Sequence, residues 1–432
     1  MTQTGADPTA SRSVLFVLFG VVFINLVGFG IVIPLLPFYG QTLDAPPWQV
    51  ALMFSAYSLG QFFAEPFWGR LSDRIGRKPV LLITVAANAI GYLMLAFAPN
   101  IWLAIAIRLF TGLGAGNIST VQGYVADVTP PELRAGRMGL IGAAFGLGFI
   151  VGPALGGLLT REDLGTLGYQ LPIFVAAGLC VLATLGIAVL LKESRVRAAP
   201  AASRPAFLSG VHDAVANPVV SRVLLVTLIY MAGFSGMEST FGFWTEARYG
   251  WGAREVGLSF MAVGIVSTVC QGFLAGRLAR RFGEARVLAV GCLIFGAGLI
   301  GQVVVGRLMP PDAQWTFALF GRSIALNGDL LVPVVMACGA FGMAVTMPNI
   351  SALISRSVDA DRQGAMLGLN MAASSSARIF GPIAAGALFS AVGHDWPFLI
   401  GAALTVPAAV MAVNAGRAFR RRQADLVPAP AE

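Results

Sequence analysis

From Val14 to Gly416 the chain is a series of apolar stretches, each about 20 residues long and nearly free of charge, with the charges gathered between them. A helix rises about 1.5 Å per residue, so a stretch of that length crosses the roughly 30 Å hydrocarbon core of a bilayer with its backbone polar groups bonded within itself. Strands of a membrane barrel would read as alternations of about ten residues, and the sequence carries no such pattern. Twelve spans fit: residues 14–36, 49–69, 80–98, 101–123, 137–159, 170–191, 223–246, 254–276, 287–305, 330–352, 363–388 and 396–416. Only 12% of the residues are charged, about half the share in soluble domains. The expected fold class is an all-α polytopic membrane protein with 12 transmembrane helices.

A formal charge of +8 would suit nucleic acid, but the cations lie in short segments between spans, where they report topology instead. With the N-terminus inside, 22 of the 29 Lys and Arg fall on the inner side and five on the outer side. Arg108 and Arg378 remain within spans. This split predicts both termini in the cytoplasm, a multi-pass protein of the cytoplasmic (inner) membrane, and no nucleic-acid partner. Met1–Ser13 is polar and leads into the first span without a small-residue cleavage site, so a retained first helix is expected. Cys180, Cys270, Cys292 and Cys338 fall in apolar runs with no ligand spacing. Inert thiols are expected, with no metal and no cofactor.

One segment between spans is unusually dense in charge: Gly69-Arg-Leu-Ser-Asp73-Arg74-Ile-Gly76-Arg77-Lys78-Pro79. It reads as a tight hinge on the cytoplasmic face. A degraded copy, Gly276-Arg-Leu-Ala-Arg-Arg-Phe-Gly283, stands 207 residues later, and Gly152-Pro153 reappears 229 residues later as Gly381-Pro382. The extra 22 residues between those offsets are assigned to 306–329. The copy has lost the acid, since Ala279-Arg280 replaces Ser72-Asp73. Two pseudo-symmetric six-helix bundles are therefore expected, 1–191 and 223–416, joined by a basic cytoplasmic linker 192–222 and followed by a tail 417–432. A parallel repeat of this kind builds one large transporter class, with the substrate site near the midplane.

Two further features stand out. Arg108-Leu-Phe-Thr-Gly112-Leu-Gly114-Ala-Gly116 puts a cation inside span four, which is costly unless it is paired or wetted. Gly148-Phe-Ile-Val-Gly152-Pro153-Ala-Leu-Gly156-Gly157 puts small residues four apart on span five, which lets helices approach closely. With the hinge, these resemble motifs A, B and C of the major facilitator superfamily in order, spacing and host helix. The third is the antiporter motif of its 12-span drug:proton antiporter group. Span one, with Asn25, Gly28, Gly30, Pro34 and Pro37, and the run from Tyr92 to Phe97 are most similar to the tetracycline-type efflux proteins. The resemblance implies that the hinge residues Gly69, Asp73, Arg74, Gly76 and Arg77 gate the cytoplasmic side together with Asp127 and Arg134. It implies that Gly148, Gly152, Pro153, Gly156 and Gly157 form the antiporter motif.

Two positions depart from that type: Asn25 and Gly91 stand where those exporters carry aspartates. Neither titrates, so proton coupling would fall to another acid. Glu238 in span seven and Glu65 in span two are the candidates, with Arg108 tuning the acid or exchanging partners with it. Glu65 could alternatively snorkel to a hinge arginine. Asn25, Gln61, Tyr57, Asn117, Phe234, Gln271, Asn349, Asn370 and Arg378 are candidate cavity residues, and Arg378 is a candidate partner of Glu238. Phe241 and Trp244 could add an aromatic wall, or Trp244 could anchor at the interface. What the resemblance implies is a secondary active, proton-coupled exporter of hydrophobic or amphiphilic compounds, working by alternating access as a monomer in the lipid bilayer. Its partners would be a small-molecule or lipid substrate and protons. A lipid flippase and a non-transporting membrane sensor or scaffold are the rival classes. No nucleophile–base pair suggests an enzyme.

Overall fold

The computed structural model describes residues 8–194, 207–311, 313, 315–319, 322–359 and 362–425. In chain order the elements are α1 (Pro8–Val32), α2 (Leu36–Gln41), α3 (Pro47–Ile75), α4 (Arg77–Ala96), α5 (Ile101–Ala115), α6 (Ile118–Asp127), α7 (Pro131–Leu159) and α8 (Thr166–Leu190). There follow α9 (Phe207–Ala216), α10 (Pro218–Tyr249), α11 (Ala253–Val269), α12 (Ala275–Phe282) and α13 (Glu284–Leu308). The hairpin β1 (Trp315–Leu319) and β2 (Arg322–Leu326) precedes α14 (Gly328–Arg356), α15 (Gln363–Ala391) and α16 (Trp396–Asp425). A π-helical turn, Cys270–Leu274, joins α11 to α12.

The helices supply the spans, several of them interrupted. Span one breaks between α1 and α2, and span four between α5 and α6 around Gly116 and Asn117. Among the described residues nine helical segments are long and apolar enough to cross a membrane. The first span has a shorter apolar core, Phe16–Val32. α3 carries Glu65 and the hinge charges, and α15 carries Asn370, four serines and Arg378. Several boundaries are set by local chemistry. Pro47, Pro131 and Pro218 stand in the first turns of α3, α7 and α10, where the missing N–H costs nothing. Asn100, Asn217 and Asn327 accept backbone N–H bonds as N-caps of α5, α10 and α14.

Three expectations about loops change. The hinge is a helix–glycine–helix corner: α3 runs to Ile75, α4 starts at Arg77, and Gly76 alone turns the chain at φ 106°. Only glycine tolerates that backbone cheaply. The second-half copy repeats the device, with Gly283 at φ 84° between α12 and α13. The expected linker contains a helix, α9, whose Ala214 packs into an apolar cluster with Val220 and Val223; 195–206 of that linker lie outside the described residues. The basic segment after Arg417 continues α16 to Asp425, and the last part of the tail, 426–432, lies outside the described residues.

The chain forms two compact units, Met1–Ala201 with Trp251–Gly264, and Ala202–Gly250 with Ile265–Glu432. In the first, α1 packs on α7 and α8, α3 on α5, and α4 on α8. In the second, α10 packs on α15 and α16, and α13 on α14 and α16. Helix α8 shows how one helix serves both lipid and core: Ile173, Ala176, Cys180, Ala183 and Ile187 are buried, while Leu182, Leu185 and Val189 are exposed. It is apolar on every side, as a helix between protein and acyl chains must be.

Candidate functional site

The hinge is organised around Arg77, which is buried. Its guanidinium lies 2.9 Å from Asp73 and 3.2 Å from Asp127 and donates to Ser72 Oγ at 2.6 Å. Three elements, α3, α4 and α6, are thereby tied at one point. Glu193 completes the arrangement, although sequence reasoning gave it no role. Its two carboxylate oxygens accept the backbone N–H groups of Arg77 (2.8 Å) and Lys78 (3.1 Å). A negative charge at a helix N-terminus satisfies orphan donors and complements the dipole. Ser194 Oγ adds a hydrogen bond to Asp127 at 3.3 Å. Gly69 sits against Ser119, where a Cβ would come within 3.1 Å of the hydroxyl. Two expected members stand apart: Arg74 is exposed, and Arg134 donates to the Thr129 carbonyl at 3.1 Å, away from the hinge carboxylates. Arg77→Ala strands two carboxylates and is expected to cost about 2–3 kcal/mol, whereas Glu193→Ala loses a cap at about 1 kcal/mol. Thermal melting of the purified variants checks that order.

Deeper in the first unit, Arg108 is 1% exposed and lies 4.3 Å over the ring of Tyr57. A desolvated cation–π contact of this sort is worth ~2 kcal/mol. Tyr57 in turn stacks on Phe29 at 5.0 Å. The candidates Asn25 and Asn117 meet Asn88 and Thr84, which had not been singled out. Asn25 donates to Asn117 Oδ1 (3.4 Å), Asn88 to Asn25 Oδ1 (3.1 Å) and Asn117 to Thr84 Oγ1 (3.1 Å). The network lies at the break between α5 and α6 and contains no titratable group. Position 91 is tight against α5: a Cβ on Gly91 would come within 2.2 Å of Thr111 Cγ2, so any larger residue there requires Thr111 to shift. Glu65 is half-buried and makes no ion pair among the described residues, so it does not snorkel to a hinge arginine. Its carbonyl accepts Ser119 Oγ at 3.2 Å. Gln61 is half-buried on the same helix.

The glycines expected to form the antiporter motif lie on α7 at a close helix crossing. Gly148, Gly152 and Gly156 face α1, where a Cβ would meet Leu26 Cβ at 2.5 Å, Gly30 Cα at 2.8 Å and the Ile31 carbonyl at 2.3 Å. A Cβ on Gly157 would come within 2.7 Å of the Ala253 carbonyl oxygen at the start of α11, and one on Gly257 of α11 within 2.4 Å of the Pro153 carbonyl oxygen. The four-residue spacing thus puts backbone against backbone.

In the second unit Glu238 is 3% exposed, with its carboxylate 3.2 Å from the Arg378 guanidinium, joining α10 to α15. Asn370 accepts the Thr227 hydroxyl at 2.7 Å, while Asn349 bonds back to the Val345 carbonyl of its own helix. Gln271 is exposed on the π-helical turn, and Phe234 is buried. Phe241 and Trp244 are fully buried, so neither is an open aromatic wall or an interface anchor. Trp244 instead donates to Asp395 at 2.9 Å, and Asp395 also binds Arg248 (2.7 Å) and Arg307 (2.9 Å). Both arginines are among the five outer-side cations, and nothing in their local sequence links them to Asp395.

Burial pushes the Asp395 carboxyl up, but the bonds from Trp244, Arg307 and Arg248 outweigh it and hold it below the usual carboxylate range. A depressed carboxyl contributes stability that is present above its unfolded value, near pH 3.9, and lost as pH falls towards the folded value. Asp395→Asn is expected to lower stability by ~2 kcal/mol at neutral pH and to flatten the acid limb below about pH 4. Melting curves across pH test both effects. Among the described residues no group of His, Cys, Asp or Glu is placed to hold a metal ion.

These features can be set beside known proteins. A family model described as Major Facilitator Superfamily matches residues 18–321 and 313–431. The class C tetracycline resistance protein of Escherichia coli is 30% identical over 402 residues, 91% of this chain and 95% of that protein. Multidrug resistance protein 2 of Bacillus subtilis is 26% identical over 396 residues, 90% of this chain and 91% of its own length. Among solved structures, the human organic anion transporter TETRAN superposes with a TM-score of 0.63 at 23% identity, covering 94% of this chain and 100% of that one. The chain, with its paired helix–glycine–helix corners and its glycine-built α1–α7 crossing, belongs to the Major Facilitator Superfamily.

Proposed function

We propose that this protein is a secondary active exporter that exchanges protons for hydrophobic or amphiphilic compounds by alternating access. It works as a monomer in the inner membrane, with both termini and the hinge on the cytoplasmic side, where most of its cations fall. The relatives named for tetracycline and multidrug resistance support export as the direction of transport. The observation that carries the mechanism is the Glu238–Arg378 pair, a carboxylate 3.2 Å from its cation inside a membrane span. A carboxylate so held stays charged, and one parted from its cation in an apolar interior takes a proton. A proton arriving from outside therefore frees Arg378, and the pair re-forms when the proton leaves to the cytoplasm. Asn25 and Gly91 cannot share this role, which sets the chain apart from an exporter with acids in spans one and three.

The hinge holds the cytoplasmic ends of α3, α4 and α6 together through Arg77 in one state of the cycle. Arg108 and the amide network of Asn25, Asn88 and Asn117 give the first unit polar groups at membrane depth that can meet a substrate's donors and acceptors. A growth-inhibition panel of tetracyclines, quinolones and cationic dyes, run on an overexpressing strain and a deletion strain, tests the reading. Resistance that rises with expression and collapses when the proton gradient is dissipated is the expected outcome. Unchanged sensitivity to every compound, together with loss of a specific envelope lipid on deletion, would instead indicate lipid translocation.

A further inference from the structure

The two helix–glycine–helix corners handle charge in opposite ways. At the first, Arg77 is neutralised within the protein by Asp73 and Asp127, and Glu193 covers the helix N-terminus beyond it. At the second, Arg280 occupies the position of Asp73 and Glu284 that of Arg77. Glu284 is itself engaged by Arg356.

The corner between α12 and α13 adjoins the end of α16. A Cβ on Gly416 would come within 2.5 Å of Ala285 Cβ, and Arg356 lies over the ring of Phe419. Residues 275–286 and 411–423 together contain eight arginines and a single carboxylate, Glu284. Arg277 is used by the Phe273 carbonyl and Arg422 by the Ser357 carbonyl. The six others, Arg280, Arg281, Arg286, Arg417, Arg420 and Arg421, are exposed and make no ion pair among the described residues. Like charges this close repel within a Debye length of about 8 Å, so the folded unit is short of anions at this corner. Apolar side chains border the patch: Phe273 is 64% exposed and Phe282, with Arg281 over its ring, is 48% exposed.

We infer that this patch, between the α12–α13 corner and the end of α16, binds the headgroups of anionic phospholipids, whose phosphates replace the acid that the repeat has lost. A lipid fits better than a soluble anion because the cations stand at the ends of membrane spans, at headgroup level, with apolar rings beside them for the acyl chains. The inference concerns the second unit alone and does not depend on which compound is exported.

The test uses the full-length protein in nanodiscs of phosphatidylcholine with and without phosphatidylglycerol, with native mass spectrometry reading the lipids retained. Wild type is expected to retain phosphatidylglycerol in preference to phosphatidylcholine. Each cation near an anionic surface contributes about fivefold, so R417Q/R420Q/R421Q and R280Q/R281Q should each reduce that preference by roughly tenfold or more. The charge-preserving R417K/R420K/R421K should keep it, which separates lost charge from lost folding, and R161Q should leave it unchanged. Equal retention of the two lipids by wild type, or undiminished preference in both Gln variants, would overturn the inference. Saturable binding of inorganic phosphate with no preference between the lipids would do the same.

Discussion

Glu238→Gln should reduce proton-driven transport to the level of empty vesicles while leaving a folded protein. The side chain is 3% exposed and faces Arg378 at 3.2 Å. Glutamine keeps the shape and an acceptor for the guanidinium but can neither carry the negative charge nor take a proton. The cost in stability is the weakening of one buried charge-assisted bond, ~1–3 kcal/mol, which a melting curve reads separately from transport. Glu65→Gln is the informative partner variant, since Glu65 is half-buried and makes no ion pair among the described residues. If Glu238 carries the proton, Glu65→Gln alone retains pH-dependent transport. If the double variant still transports in a pH-dependent way, neither acid is the carrier.

The second large effect comes from packing. Gly112→Val should damage both the fold and the site, because α3 and α5 cross with backbone against backbone. A Cβ at position 112 would lie 2.1 Å from the Tyr57 carbonyl oxygen, and one at position 60 would lie 2.3 Å from the Leu109 carbonyl oxygen. Neither neighbour is a flexible side chain that can move aside, so the helices must separate. Overpacking of this kind costs about 1–3 kcal/mol or more, and membrane helices have little but close packing to hold them together. The separation also shifts Tyr57, whose ring lies beneath Arg108. Lower yield of folded protein and a lowered melting temperature are expected, with Gly112→Ala intermediate. A melting temperature equal to that of wild type would mean that the crossing tolerates a wider spacing than its geometry indicates.

Much of this was legible in the sequence, for identifiable reasons. Span length and charge placement are properties of consecutive residues, so the spans and the charged hinge with its copy could be read directly, whereas the breaks in spans one and four and the single-glycine form of the two corners could not. The Glu238–Arg378 pair was one of two readings open for Arg378, the other being a place on the cavity wall, and only the packing of α10 on α15 decides between them. Glu193 was not foreseeable: the amides it accepts lie 116 and 115 residues away along the chain, and nothing beside it marks it as a cap. Asp395 is hidden for a related reason, since Arg248 and Arg307 lie 147 and 88 residues from it along the chain and a lone loop acid gives no hint that it gathers both. Trp244 was read from its place near a helix end, but the fold turns its indole inward to that same acid. The amide network was half visible: Asn25 and Asn117 are conspicuous in apolar runs, whereas Asn88 and Thr84 join only once α4 is placed against the break between α5 and α6. The hairpin of β1 and β2 accounts for much of the 306–329 segment by which the second half exceeds the first.

The central claim is that compound movement and proton movement are one process. In proteoliposomes carrying a pH-sensitive dye in the lumen, adding a transported compound outside should drive protons out of the lumen. The signal should be saturable, absent with Glu238→Gln, and reversed when the compound gradient is reversed. Movement of the compound with no proton signal, or a proton signal that survives Glu238→Gln unchanged, would contradict the account.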